Sequence, residues 1–359
     1  MFKFVVKRLF YGFFVLIGVN TVVFYLFNIL PGDPARMMLG QHAEQAAIDE
    51  INREFGLDKP TWVQYLRYSN DLSPVSVHET ENSEHVIYFD ADKYGAHKKL
   101  FRLDGSKVIL LKFPYLRRSY FTKRKVFDII VDKFPATAIL TTCSILIATI
   151  FGVCFGALSA VYENSWLDKA LASISVIGMS LPMFFTGLVL SWLFGYALRA
   201  YTGLSHEGSL YVMDDFGVEH LQLQNLILPA ITLGIRPFSI IIPLMRASML
   251  EEIRADYVRT AYAKGLTKFV VISKHVFQNA LNPVVTSISG WFASLMAGSI
   301  FVEIIFNWKG IGYEVVDALG KNDLPVVMGA TLVFAVVFVL INIIVDIIYG
   351  VIDPRVSYE

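Results

Sequence analysis

The chain has 359 residues, 31 basic against 31 acidic side chains, 17% charged residues and 55% hydrophobic ones. That balance excludes an ordinary soluble globular domain, and no nucleic-acid partner is expected. Uncharged apolar stretches, long enough for the ~20 helical residues that cross a hydrocarbon core, put the chain in a lipid bilayer.

The first stretch, Leu9 to Gly32, follows "MFKFVVKR". It is too long for a signal peptide, and "NILPGDPARMM" offers no small-residue cleavage site, so residues 1–30 read as a first transmembrane helix. Residues 31–133 form a segment outside the bilayer. Within it, residues 43–68 read as an amphipathic helix through Phe55, stopped near Gly56, then a second helix begun by a proline. In residues 72–114, "HVIYF", "KLFRL" and "KVILLKF" are strand-like, with a hairpin turn at Asp104-Gly105. A small β-rich insert is expected there, too short to build a large core alone.

Residues 134–359 hold five further stretches: Phe134 to Tyr162, Ala170 to Leu198, Leu226 to Met245, His275 to Val302 and Leu324 to Val345. The fold class is therefore a polytopic all-α membrane protein of six helices, since helices satisfy their own backbone groups in lipid. Gly152 and Gly156 suit close helix packing. Cys143 and Cys154 share one helix at a separation of ~16 Å, cannot pair with each other, and read as buried small hydrophobes. Arg236 interrupts the fourth stretch ~15 Å along it, a depth at which ionisable groups face a cavity or a partner. It is a candidate for a substrate path, with a helix break around Gly234 and Pro237 as the structural alternative.

Basic residues near the helix ends orient the chain. With the N-terminus inside, Lys3, Lys7, Arg8, Lys169, Arg246, the polar stretch from Arg254 to Lys274, and Arg355 fall on the cytoplasmic side, against Arg199, Lys309 and Lys321 outside. Both termini are then cytoplasmic, although "RRSYFTKRK" before the second stretch opposes the assignment.

Between the fourth and fifth stretches lies a polar hairpin, about 246–281. From Leu250 to Lys264 there is no Pro or Gly, and Leu250, Ile253, Tyr257 and Ala261 make an apolar stripe. Gly265 can end that helix in the left-handed region, and Thr267 can cap a second helix running to Leu281 before Pro283. Small residues at Thr260, Ala261 and Ala263 let another surface approach the backbone.

The segment "DYVRTAYAKGL…HVFQNALNPVVT" resembles the cytoplasmic coupling loop of binding-protein-dependent ABC importers, in particular the permeases of dipeptide, oligopeptide and nickel systems. "ILPGDP", "GLDKPTWVQYL", "GMSLPMF", "LPAITLG", "RASMLEEIRADY", "FVEIIFNWKGIG" and "VDIIYGVIDPR" agree with that family in order. The resemblance implies a six-helix type I importer permease whose loop from Arg259 to Leu266 docks on a separate ATP-hydrolysing subunit. Arg259, Thr260 and Ala261 stand where the wider family has Glu-Ala-Ala, and Gly265 stands at its glycine. Asp256, Tyr257, Ala263, Lys264 and Leu266 complete the coupling candidates. The sequence departs most from the family in the external insert at 72–114.

The resemblance further implies a second homologous permease subunit, one or two ATP-binding subunits, an external solute-binding protein, and ATP with Mg on those partners. The chain itself has no G-x-x-x-x-G-K-[ST] phosphate cradle, no metal-ligand spacing among its seven His and no nucleophile elbow, so no catalysis and no cofactor of its own are expected. The alternative is an ion-gradient-driven carrier or channel, which needs an ion relay or broken-helix repeats.

Overall fold

The computed structural model describes residues 2–28, 58–82, 85, 87–104, 106–214 and 216–352, with Gln45 and Asp49. The expected helix through Phe55, apart from Gln45 and Asp49, and the "ILPGDP" segment and Gly105 lie outside the described residues. Among the described residues, four helices are long and apolar enough to cross a membrane, and up to six if each of two bent pairs counts as one span. The chain divides into two compact units, one mainly Lys133–Glu314, the other Leu9–Asp132 with Val315–Val336.

In the second unit, α1 (Phe2–Asn28) meets α2 (Thr61–Leu72). Fully buried Phe24 sits 5.3 and 5.6 Å from the rings of Tyr65 and Tyr68, and the Thr21 hydroxyl lies 2.7 Å from that of Tyr65. Pro60 is at the N-cap of α2, close to the expected proline start. Next come β1 (Val75–Glu79), a one-turn α3 (Ala91–Tyr94), β2 (His97–Asp104) and β3 (Lys107–Lys112). They form an antiparallel sheet in the order β1-β3-β2, with Val77 and Phe101 both opposite Ile109.

The expected strands at "KLFRL" and "KVILLKF" are present, and Asp104, expected in the turn, is instead the last residue of β2 and pairs with Lys107. Among the described residues of "HVIYF" no strand forms and Tyr88 makes an isolated bridge to Glu79, while the third strand is Val75–Glu79. The reason is long-range. The Asn70 amide exchanges two hydrogen bonds with the Val77 backbone, at 2.9 and 3.0 Å, and draws that segment onto α2.

The sheet is locked to α2 by charge. Buried Asp71 accepts from Lys93 Nζ at 3.0 Å and from the Tyr94 hydroxyl, while buried Lys112 donates to the Asp71 and Ser73 carbonyls. Breaking such a buried set costs several kcal/mol, about 3–5 when one partner is lost. Asp323, just before the last long helix, accepts from Ser119 Oγ and, at 2.9 Å, from the Tyr120 N–H.

In the first unit, α4 (Val126–Val161) crosses α8 (Gln224–Ile253), with α5 (Trp166–Ser180), α6 (Met183–Leu190) and a one-turn α7 (Arg199–Thr202) between them in sequence. A short hairpin, β4 (Tyr211–Met213) with β5 (Glu219–Leu221), precedes α8. A Cβ at Gly156 would lie 2.7 Å from the Ile242 carbonyl, and one at Gly152 2.8 Å from Ile241, so both glycines serve the expected close approach. Cys154 is exposed and Cys143 half-buried, which corrects the reading of both as buried: Cys154 lies on the face of α4 turned away from that crossing.

Ala170 to Leu198 is not one straight helix. α5 and the helix from Met183 to Ala197 meet at 110°, because Pro182 removes an N–H and holds Leu181 extended at φ −76°, ψ 132°. Conversely, α8 does not break at Gly234 or Pro237. It runs on through Pro229, Pro237 and Pro243, its packing carried by fully buried Leu233, Ile241, Ile242 and Met245.

Candidate functional site

The polar hairpin forms a compact knob at the end of α8. The expected single helix from Leu250 to Lys264 is two helices: α8 stops at Ile253, and α9 is Asp256–Ala263. Arg254 and Ala255 close the last turn on the Glu251 and Glu252 carbonyls at 3.2 and 3.1 Å, and Ala255 then turns extended (φ −69°, ψ 150°). Packing explains the break. It folds α9 back so that buried Val258 and Ala261 join Met249, Val271, Val276 and Ala280 in one apolar cluster; a straight helix would carry them away from it.

The inward stripe is thus Val258 and Ala261, whereas Tyr257 lies exposed with its hydroxyl donating to Glu252. Asp256 opens α9, where its charge complements the helix dipole. Its ion pair with Arg259, at 3.6 Å between side chains 96% and 80% exposed, contributes little stability.

The end of α9 is closed as the sequence implies. Gly265 takes φ +81°, its N–H reaches the Tyr262 carbonyl at 2.9 Å, and the Leu266 N–H reaches the Ala261 carbonyl at 3.3 Å. These two bonds are the Schellman pair that satisfies orphan carbonyls. Thr267 stands at the next N-cap in extended conformation but makes no side-chain capping bond. The second helix does not stop before Pro283: α10 (Lys268–Val270) passes through a π turn, Val271–Val276, into α11 (Phe277–Ile305), which contains Pro283.

Asp256, Arg259, Thr260, Ala263, Lys264, Gly265 and Leu266 are all exposed on this knob, and Ala261 alone of the candidates is buried. Sequence reasoning missed Tyr262 and Phe269, 45% and 80% exposed, which add aromatic surface to the same knob. The available signal was Phe269 following a capping Thr and a Lys, ahead of the apolar run.

Sequence reasoning also missed Asp168. Its carboxylate receives a two-pronged bond from Arg246, Nε to Oδ1 at 2.7 Å and Nη2 to Oδ2 at 2.8 Å, and accepts from Ser159 Oγ and the Asn164 N–H. Arg246 lies on α8 two turns before the knob.

Arg236 is exposed on α8 and has no hydrogen bond or ion pair among the described residues. It does not line the open groove of about 240 Å³ between α4 and α8, whose walls, Ile147, Phe151, Phe155, Ile231, Ile235 and Phe238 among them, are apolar. Among the described residues no group of three His, Cys, Asp or Glu is placed to hold a metal.

Residues 152–358 match the family described as binding-protein-dependent transport system inner membrane component. The chain belongs to this family. It is the permease subunit of an ABC importer, a multi-pass protein of the inner membrane, and not itself an enzyme. A second model, for the N-terminal part of such membrane components, matches residues 1–84 of the permease and so reaches into the β-rich region.

Over its full length, and that of its relatives, the permease is 34% identical to the dipeptide transport system permease protein DppB of Alkalihalophilus pseudofirmus and 32% identical to the glutathione transport system permease protein GsiC of Pectobacterium atrosepticum. The MetNI methionine ABC transporter, in inward-facing form, has a chain that superposes with a TM-score of 0.51 at 20% identity, covering 63% of the permease and 97% of that chain. That likeness concerns the fold. The family match favours the importer over the gradient-driven carrier.

Proposed function

We propose that the permease forms half of a translocation path for peptides or a related small solute and passes force from separate ATPase subunits through its α9 knob. The complete importer on this reading contains a second homologous permease, one or two ATP-binding subunits that hold ATP and Mg, and an external solute-binding protein. The permease contributes six spans, each bent pair counting as one, with both termini cytoplasmic. The domains are residues 1–30 as the first span, an external segment 31–133 with its β-rich insert at about 72–114, and the five-span core 134–359.

The observation that supports this best is the knob itself. A short, closed helix with an exposed polar and aromatic face stands on a fully apolar base of Val258, Ala261, Met249 and Val271, a form that can bear load without deforming. Peptide cargo is favoured by the dipeptide and glutathione permeases to which the chain is similar. Copurification of the tagged permease followed by mass spectrometry tests the reading. An ATP-binding subunit and a second permease are expected, and their absence from an active preparation overturns it.

Arg236 is the candidate cation on the path: it is exposed on its own chain and unpaired among the described residues, available to a peptide carboxylate. Arg236→Gln should raise the half-saturating concentration of a dipeptide with a free C-terminus and leave that of its amidated form unmoved. The insert, interlocked with α2 through Asp71 and Lys112, acts on this reading chiefly to stabilise the external segment. Deleting residues 74–112 should lower assembly and uptake together; lost uptake with normal assembly would instead assign it to receptor docking.

A further inference from the structure

We propose that the Asp168–Arg246 pair is the joint through which displacement of the α9 knob reaches α5, so that both are positioning residues for coupling. The proposal rests on the importer reading and adds the route the force takes.

The knob and the end of α8 form one packed body. Met245 and Met249, both fully buried, flank Arg246 by one residue and by three, and share an apolar cluster with Val258, Ala261, Val271 and Val276. Interlocked cores of this kind move as units rather than deform.

α5 packs along α8 with less of its apolar surface enclosed: Leu167, Ala170 and Leu171 are half-buried, Ile174, Val176 and Ile177 are exposed, and only Asp168 and Ser175 are buried along it. In its first two turns the one side chain that is buried outright is the carboxylate gripped by Arg246, so the polar, directional part of the attachment lies there.

The grip is built for direction as well as strength. Two parallel guanidinium bonds, at 2.7 and 2.8 Å, fix the angle between the groups, and the Ser159 hydroxyl, on α4, and the Asn164 N–H occupy the remaining acceptor sites. Asn164 holds φ +62° in the turn between α4 and α5, and Ser165 caps α5 by accepting from the Asp168 N–H at 3.2 Å. Arg254 adds a surface contact to Glu163 in the same turn at 3.7 Å. α8, the α4–α5 turn and the start of α5 are thus clamped at one point.

At the other end of α5 a Cβ on Gly178 would overlap Ser239 Oγ, at 2.0 Å, which gives a second, close bearing against α8. Past it, the chain turns 110° at Leu181–Pro182 into α6. A push on the knob is handed to α5 at Asp168 and to the bend beyond it. A buried ion pair is weak evidence for stability in its own right, which fits a role in fixing geometry.

The complete importer, reconstituted in liposomes with its ATPase subunits and receptor, carries the test. Asp168→Asn keeps the shape but removes the charge; Arg246→Lys keeps the charge but removes the fork. Uptake of a radiolabelled dipeptide per ATP hydrolysed should fall about tenfold in the first and less in the second, within the range of ordinary coupling energies. If the pair merely supports folding, uptake and hydrolysis decline together with the amount of assembled complex, and an unchanged ratio overturns the proposal.

A second measurement needs neither cargo nor a disrupted pair. Spin labels at Trp166→Cys on α5 and Lys274→Cys beside the knob should keep one separation in the nucleotide-free and ATP-trapped complexes. A separation that shifts between the two states shows that knob and α5 move independently, and overturns the joint while leaving the importer reading intact.

Discussion

The Thr137 hydroxyl donates to Glu303 Oε1 at 2.8 Å and accepts from the Ile311 N–H at 2.8 Å, so one side chain of α4 ties the end of α11 to the start of α12 (Ile311–Gly320). Glu303 is fully buried and also accepts from Ser299 Oγ and the Tyr313 N–H, each at 2.9 Å. Gly310 stands so close that a Cβ there would lie 2.5 Å from Glu303 Oε2. Glu303→Ala leaves several buried donors without an acceptor and should destabilise the permease by about 3 kcal/mol or more. Glu303→Gln retains one acceptor oxygen and should cost roughly half as much. Thermal unfolding of the purified protein in detergent measures both, and equal midpoints for Ala and Gln would argue against the hydrogen-bond account.

Gly265 presents a different case, because the constraint is conformational. A Cβ there meets nothing within 4 Å in the chain, yet φ is +81°. Elsewhere the chain ends helices with asparagine in the same region, Asn307 at φ 54° and Asn322 at φ 58°. Gly265→Asn should therefore keep the turn and most of the coupled uptake, whereas Gly265→Val pays a left-handed penalty of about 1–2 kcal/mol and should uncouple hydrolysis from transport. Equal loss in the two variants would mean that a docked neighbour, not the backbone, requires glycine.

These cases mark how far the sequence could be read. The glycine stop at Gly265 and the tolerance for close packing at Gly156 are local signals, and both appear where periodicity and turn chemistry put them. The 110° bend was available too, in the Pro182 of "GMSLPMF", but the uncharged length of the stretch concealed it. The break at Ala255 has no local breaker and comes from the burial of Val258 and Ala261 against residues further along the chain. Partners such as Thr137 and Glu303, 166 residues apart, or Asp168 and Arg246, 78 apart, leave no trace in spacing. Of the candidate site, the exposed polar hairpin from Asp256 to Leu266 was legible, and the Asp168–Arg246 ion pair behind it was not.

His78 should make the β-rich insert sensitive to acid. It is fully buried, with Nε2 2.9 Å from Ser76 Oγ and Nδ1 3.3 Å from the Ile87 carbonyl, a set that a neutral ring satisfies. Burial, then the Lys112 ammonium, push its pKa down to about 4; Lys93 acts in the same sense and Asp71 against it. Because the folded value lies below the ordinary 6.5, the stabilisation is complete above that pH and is lost as the pH falls toward 4. Hydrogen exchange at the Val77 and Ile109 amides should accelerate across that window, and His78→Gln should flatten the profile. An unchanged acid profile in the variant would assign the sensitivity to other groups.

Phe269 and Val258 offer the sharpest contrast on the knob. Phe269 is 80% exposed and Val258 is 2% exposed, although only ten or so positions of chain separate them. Truncating an exposed side chain with little packing changes fold stability by about 0.5 kcal/mol or less, while an aromatic anchor at an interface carries about 2 kcal/mol of binding. Phe269→Ala should thus leave the melting midpoint in place and weaken association with the ATPase subunit by roughly thirtyfold, as read by titration of the purified permease with that subunit. Val258→Ala should do the reverse, lowering the midpoint through a cavity beneath α9 while binding falls only as far as the knob loosens. If Phe269→Ala binds as tightly as the native chain, the docking face lies on the Arg259 to Leu266 side alone, and the aromatic surface around Phe269 takes no part in it.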